Sequence, residues 1–340
     1  MEKDMKKHFR KYCEYLNQEH KEFQEMSLIV KLRNQLESQE IDFYEFLNSM
    51  YQWNKNLHLT SQNLTHTGIE KIELTDSCVT YTTKRLGIKL IFDGKDRRGV
   101  PFELLSFGGY ESNELALFDN ILNDDSILFD VGANIGWYAL NWSKQFPNST
   151  IYAFEPIPQT YDFLKTNAII NGSKNIHPYQ LALSNSSGSK PYYFTPESSV
   201  LASEKNILEY KNAKKINVTT TTIDGFIENT KIKKLDLIKC DVEGAELNSI
   251  KGALKTIKNY QPIVVLELFH EWSKWFDYHP NEAFSLLAKF GYSAFLPEKG
   301  FLEKVDSYQS EDFSKQNYFF LHNQTHEKLI QRFSKRKRGG

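Results

Sequence analysis

The sequence predicts an α/β fold: a doubly wound, mostly parallel seven-stranded sheet with helices on both faces, preceded by a helical N-terminal region and a small β segment. Three observations carry that expectation. From about residue 110 to 325, short apolar strands and helices alternate, the pattern of a two-faced parallel sheet. Ile127-Leu-Phe-Asp-Val-Gly-Ala-Asn-Ile-Gly136 reads as a buried strand that runs into a glycine turn and then a helix. Asp130 lies at the end of that strand, and Glu155 closes the next one in Ile151-Tyr-Ala-Phe-Glu-Pro156. A strand, a glycine turn and an acid about 20 residues on is how a doubly wound sheet grips a nucleoside.

The elements follow in chain order. Residues 1–60 read as helical, because Phe9, Tyr12, Leu16, Phe23, Leu28, Leu32 and Leu36 recur at roughly three- and four-residue steps. Such a stripe packs on a core or on a partner chain, which makes this region the place for a homo-oligomer contact. Residues 61–106 change character: Val79-Thr-Tyr-Thr-Thr83 and Ile88-Lys-Leu-Ile-Phe92 are β-branched and aromatic, punctuated by Gly94, Gly99 and Pro101, and predict small antiparallel strands. A domain over 107–325 comes next. It opens with a helix at Glu111–Leu122, then strand one at Ile127–Val131 and a helix over 135–146. Strand two is Thr150–Glu155, and the following helix ends at Asn171-Gly172, a left-handed cap. Strand three is Ile176–Leu183. An insertion follows with Gly188, Pro191, Pro196 and several serines; its Ser198-Ser199 and Pro191-Tyr-Tyr-Phe194 suit a lid. Val218–Thr222 and a short helix at Ile223–Glu228 lead to strand four, Leu235–Cys240. A helix over 244–259 precedes strand five, Pro262–Leu268. A helix over 280–290 and strands near Tyr292–Leu296 and Tyr318–His322 complete the domain. The tail, 326–340, is basic.

Composition narrows the class. The chain has 340 residues, 40% hydrophobic and 25% charged, as ordinary soluble proteins do. A net charge of −1 gives no field for nucleic acid or anionic lipid. Cys13, Cys78 and Cys240 stand in no metal spacing and suit a reducing compartment, so a cytoplasmic location is expected. The mixed-charge start has no apolar core behind it and does not read as a signal peptide. No apolar run is long enough to predict a membrane span.

The turn chemistry selects the ligand. A dinucleotide fingerprint needs G-x-G-x-x-G, but the positions counted from Gly132 are Gly132, Asn134 and Trp137. A nicotinamide oxidoreductase is therefore disfavoured. The carboxylate of Asp130 is wrong for phosphate and right for an ammonium group. A ligand with a ribose and a cation fits, and S-adenosylmethionine has both. Its ribose hydroxyls would pair with Glu155 as charge-assisted hydrogen bonds.

Several segments together resemble FkbM-type methyltransferases, a branch of the seven-stranded S-adenosylmethionine-dependent fold. They are Gly109-Tyr-Glu111, Phe129-Asp-Val-Gly-Ala-Asn-Ile-Gly136, Phe154-Glu-Pro-Ile-Pro158, Asn167 through Asn171, and Gln180-Leu-Ala-Leu-Ser184. Leu235-Asp-Leu-Ile-Lys-Cys-Asp-Val-Glu-Gly-Ala-Glu246 and Pro262-Ile-Val-Val-Leu-Glu267 complete the match, which spans about residues 107–325. The resemblance implies O-methylation of a small hydroxylated acceptor such as a sugar, a nucleotide sugar or a glycan intermediate. It leaves residues 1–100 unaddressed.

On this reading the cofactor-binding set is Glu111, Asp130, Gly132, Asn134, Gly136, Glu155, Pro156, Ala182 and Leu183. Glu111 is also a plain helix N-terminal acid, favourable to the dipole. Asp241 and His270 are the catalytic candidates. Asp241 ends strand four, and His270 stands just past strand five with an imidazole, a side chain suited to a base. The alternative is a divalent metal ion (Mg, Mn or Fe) held by Asp241, Glu267 and His270, which would orient and acidify the hydroxyl. Glu243 is a structural acid or an acceptor clamp. Trp272 and Trp275 stack on a sugar face or cap the core. A nucleic-acid methyltransferase lacks its Asn/Asp-Pro-Pro-Tyr or Pro-Cys run here. A silent scaffold is opposed by the intact set of Asp130, Glu155 and Asp241.

Overall fold

Strands buried on both faces must be apolar almost throughout, and the central strands of the structure obey this. β4 (Ile127–Val131), β11 (Leu237–Cys240) and β12 (Ile263–Glu267) carry a charge only where the chain nears a functional edge or, at Lys239, in the interior. The computed structural model describes residues 27–76, 78–96, 98–195, 198–207, 209, 213–298, 300–309 and 317–334. Phe9, Tyr12, Leu16, Phe23, Cys13 and the tail beyond Ser334 lie outside them.

The chain divides into two compact units, Met1–Phe92 with Pro101–Tyr110, and Asp93–Val100 with Glu111–Gly340. In the first, helix α1 (Leu28–Glu37) starts where the Ser27 hydroxyl accepts the Val30 N–H. Helix α2 (Phe43–Asn63) opens on a reciprocal capping box between Asp42 and Glu45. Strands β1 (Ile69–Leu74), β2 (Val79–Thr83) and β3 (Lys89–Phe92) form an antiparallel sheet in that order. Helix α3 (Val100–Phe107) follows.

The second unit holds helices α4 (Ser112–Ile121), α5 (Trp137–Gln145) and α6 (Pro158–Ile170) in its first half. Its main sheet adds β5 (Thr150–Phe154), β6 (Ile176–Tyr179), β13 (Tyr292–Glu298), β14 (Phe301–Val305) and β15 (Asn317–His322). Among the described residues it has eight strands, in the order β14-β13-β15-β12-β11-β4-β5-β6. The run β12-β11-β4-β5-β6 is parallel; β15, β13 and β14 are antiparallel. The sequence predicts seven strands, and β14 is the addition. Only Leu302 of its five residues is buried, so an edge strand of Phe-Leu-Glu-Lys-Val gives little hydrophobic signal.

Strand three also differs from expectation. It stops at Tyr179, where the Leu181 N–H turns back to the Tyr179 carbonyl at 3.0 Å. Ala182 and Leu183 then form β7, which leaves the main sheet and pairs in parallel with β10 (Lys214–Thr221). With β8 (Gly188–Thr195) and β9 (Ser198–Ser203) they make a second sheet, ordered β7-β10-β8-β9. The inserted segment is thus a folded layer.

Side-chain alternation gives the main sheet two distinct faces. Phe129, Phe154, Tyr179 and Phe226 interlock on one, continuous with Ile238, Cys240, Val264 and Leu266. Helices α7 (Ile223–Thr230), α8 (Glu246–Lys251) and α9 (Leu254–Tyr260) add their apolar residues to this core. On the other, Phe118, Tyr138 and Trp142 form an edge-on aromatic cluster that reaches Phe319. Asp130 and Lys239 project toward this second face, because they alternate with Phe129 and Ile238.

Candidate active site

The C-terminal ends of the parallel strands form one row. Val131 is level with both Phe154 and Cys240, and Cys240 with Leu266. The next residues along, Gly132, Glu155, Asp241 and Glu267, therefore share a crest. Ligands of doubly wound sheets bind at this edge.

The turn after β4 is built from left-handed residues: Gly132 at φ +81°, Asn134 at φ +49° and Gly136 at φ +95°. Gly132 and Ala133 both donate to the Phe154 carbonyl, at 3.0 and 2.9 Å. A Cβ on Gly132 would lie 1.7 Å from the Asp241 carbonyl oxygen, so only glycine fits between the two strand ends. The Gly136 position would press on the Leu164 side chain at 2.7 Å.

Glu155 is 5% exposed, and both oxygens are engaged by backbone. Oε2 accepts the Asn134 N–H at 3.0 Å and Oε1 the Ile157 N–H at 2.9 Å. Burial pushes its pKa up to about 7. Pro156 is half-buried beside it. Asn134 also reaches the inserted layer, donating from Nδ2 to the Ser199 carbonyl at 3.0 Å, and the Ser199 N–H donates to Asp96 Oδ2 at 3.3 Å. Asp130 is buried; its Oδ2 accepts the Ala139 N–H at 3.1 Å, and its Oδ1 has no partner among the described residues. Burial raises its pKa to about 6. Ala182 and Leu183 are buried in separate apolar clusters, and the Leu183 carbonyl accepts the Ser249 hydroxyl at 2.7 Å. Glu111 takes a left-handed backbone at φ +47° ahead of α4 and makes no side-chain cap there. Its Oε1 instead accepts from Asn317 Nδ2 at 3.3 Å, and burial pushes its pKa up to about 7.

On the acceptor side, Asp241, Glu243 and Glu267 each offer an oxygen, all within 4.8 Å of one another. The positive φ of Glu243 (52°) and of Gly244 (100°) folds the chain back and brings Glu243 to the other two. Glu246 holds that loop shut: its Oε1 accepts the Val242 and Gly244 N–H groups at 3.0 and 3.1 Å, and its Oε2 the Tyr278 hydroxyl at 3.2 Å. Lys239 Nζ donates to Asp241 Oδ2 at 2.8 Å. Burial works against the Asp241 carboxylate, yet the charge of Lys239 together with hydrogen bonds from Glu267 and Lys239 outweighs it and holds the pKa below the usual range. Burial, reinforced by the Asp241 charge, pushes Glu267 and Glu243 well up.

The expected ligand trio of Asp241, Glu267 and His270 is not what the structure assembles; Glu243 takes the third place. His270 opens the short helix α10 (His270–Ser273), its N–H donates to the Tyr308 hydroxyl at 3.2 Å, and its ring lies 4.8 Å from that of His279. Trp272 backbone packs on Gly244, where an added Cβ would stand 2.9 Å away. Lys239 carried no expectation, and Ser199 was expected only as part of a lid. The signal for Lys239 was a lone charge inside the apolar run Leu237-Ile-Lys-Cys240; the Ser199 link depends on how the inserted strands fold over.

Residues 130–294 match the family profile described as Methyltransferase FkbM domain. Methyltransferase 1 of Beauveria bassiana is 27% identical over 201 residues, covering 54% of this chain and 75% of that protein. Hexuronic acid methyltransferase AglP of Haloferax volcanii is 30% identical over 157 residues, covering 46% of this chain; the chain spans 61% of its length. A solved Methyltransferase FkbM structure from Methylobacillus flagellatus KT superposes with a TM-score of 0.40 at 15% identity, over 58% of this chain and 44% of that one.

Proposed function

We propose, from the match of residues 130–294 to the FkbM methyltransferase profile, that the protein is an S-adenosylmethionine-dependent O-methyltransferase that acts on a hydroxyl of a small acceptor. A sugar, nucleotide sugar or glycan intermediate is the acceptor class; the relative that acts on a hexuronic acid supports it. The observation that carries the reading is the crest itself, where Glu155 and Asp241 flank a glycine turn that admits no side chain.

The residues present suit the cofactor. The carboxylates of Glu111, Asp130 and Asp241 surround the ammonium of Lys239, and Glu155 adds a fourth acid near Asp130 and Asp241, an excess of acidic groups that favours a cationic ligand. Asp130 Oδ1, buried and without a partner, adds to that field. Each Glu155 oxygen spends one lone pair on a backbone N–H and keeps another for a ribose hydroxyl. Gly132, Asn134 and Gly136 give the backbone room along the methionine and ribose, Glu111 faces the methionine end, and Pro156, Ala182 and Leu183 bound the adenine end. When bound, the cofactor supplies an electrophilic methyl on a sulfonium.

The protein must then align the hydroxyl and take its proton. Asp241 accepts that proton as the O–CH3 bond forms and the S–CH3 bond breaks, leaving S-adenosylhomocysteine and a methyl ether. A carboxylate held below its usual range is a modest base. Its share belongs at the lower end of roughly 10²–10⁴-fold, and orientation supplies more. His270, at the rim, is the second proton acceptor.

A metal-assisted route has one observation in its favour, the trio of Asp241, Glu243 and Glu267. An all-oxygen donor set suits Mg or Mn. Against it, Lys239 already binds one Asp241 oxygen. The test of the whole reading is transfer of labelled methyl from S-adenosylmethionine to a panel of nucleotide sugars, with and without divalent ions. Transfer to a hydroxyl supports it; no cofactor binding would favour a non-catalytic scaffold.

A further inference from the structure

We propose that Lys239 is a positioning residue for methyl transfer, fixing the Asp241 carboxylate where the acceptor hydroxyl meets it. The inference rests on the methyltransferase reading above and adds a residue to it. Lys239 is 3% exposed, in a strand whose other residues are wholly buried. Lysine is almost never this buried without a partner, and an apolar residue of similar length would satisfy the strand at least as well. Its presence there needs a reason beyond packing.

The contacts supply one. Nζ lies 2.8 Å from Asp241 Oδ2 and 4.6 Å from the centre of the Tyr138 ring, which steadies the ammonium from the other side. Asp130 and Glu111 also attract it through space. If Lys239 merely neutralised the most buried acid, its hydrogen bond would go to Asp130, which is 1% exposed and has an oxygen without a partner. It goes instead to Asp241, whose side chain is 22% exposed at the crest. The lysine thus directs its bond toward the carboxylate that can reach a substrate. Lys239 tethers one Asp241 oxygen, and a hydrogen bond with the Glu267 carboxyl also holds the group.

The test compares Lys239→Met, Asp130→Asn and the double variant, each at saturating S-adenosylmethionine and acceptor. Lys239→Met should lose about 100-fold in kcat, with cofactor Kd within about threefold of the wild type, since the lysine serves proton transfer and not cofactor grip. The double variant removes the charge of Asp130, one of the carboxylates that Lys239→Met leaves without their cation, and so folds more readily than the single variant. It should remain about 100-fold below Asp130→Asn. Recovery of the double variant to within about threefold of Asp130→Asn would show that Lys239 only balances Asp130, and would overturn the proposal. A folded Lys239→Met enzyme with wild-type kcat overturns it too. A wild-type protein that binds no S-adenosylmethionine sinks the methyltransferase reading itself, whatever the variants do.

Discussion

A methyl group added to Gly132 would stand 1.7 Å from the carbonyl oxygen of Asp241. The cofactor turn and the end of the neighbouring strand therefore touch backbone to backbone. Gly132→Ala meets main chain that cannot step aside, in a residue already at φ +81°. Strain and overpacking together should cost roughly 2–5 kcal/mol. Cofactor affinity and turnover should fall with stability. Gly136→Ala should cost less, because its obstacle is the movable end of Leu164. Thermal melts of the two variants check the order.

Glu155 serves the turn as well as the proposed ribose. Its two backbone bonds mean that Glu155→Ala would loosen residues 134–157 along with the ligand. Glu155→Gln is the cleaner variant: one oxygen remains and an amide faces the other N–H. It should weaken S-adenosylmethionine binding about tenfold or more while costing about 1–3 kcal/mol of stability. Calorimetric titration that returns an unchanged Kd would remove the ribose assignment.

Much of this crest is legible in the sequence because it depends on local chemistry. Strand, glycine turn and second acid stand in fixed order along the chain, and Gly132 is required by a close approach that the strand order imposes. Three features are not legible. Glu243 reads as a residue near a helix start, and only its left-handed backbone turns it toward Asp241 and Glu267. Asp130 reads as facing the ligand, whereas its Oδ2 is spent on the Ala139 N–H. β7 reads as the end of strand three; its departure is decided by pairing with β10, which lies about 35 residues on, and distant pairings of that kind leave no local periodicity.

Asp241→Asn keeps the shape and removes the base. Turnover should fall by about 100-fold or more, with cofactor affinity retained because Glu155 and the turn are untouched. Radiolabel transfer and calorimetry on the same preparation check both halves. Full chelation before the assay then divides the routes: activity that survives excludes the ion.

The buried acids set a pH dependence for the protein without cofactor. Glu111, Glu155 and Glu246 have pKa values pushed by burial from 4.5 up to about 7. Each keeps its proton longer folded than unfolded, so its stabilisation is complete below about pH 4.5 and is lost as pH rises through about 7. The lowered pKa of Asp241 acts at more acidic pH, outside this window. His326, whose pKa burial lowers to about 4, acts in the opposite sense, but these three acids and the raised Asp130 outnumber it, so the melting temperature should be higher at pH 5 than at pH 8, by roughly 5 °C. A flat or rising profile contradicts this account of the buried acids.

The measurement that bears most directly on the central claim is a crystal structure of the protein with S-adenosylhomocysteine. The nucleoside should lie across the crest of β4 and β5, with both ribose hydroxyls within hydrogen-bonding distance of Glu155 and the sulfur pointing toward Asp241. A nucleoside seated elsewhere, or a ribose that leaves Glu155 uncontacted, contradicts it.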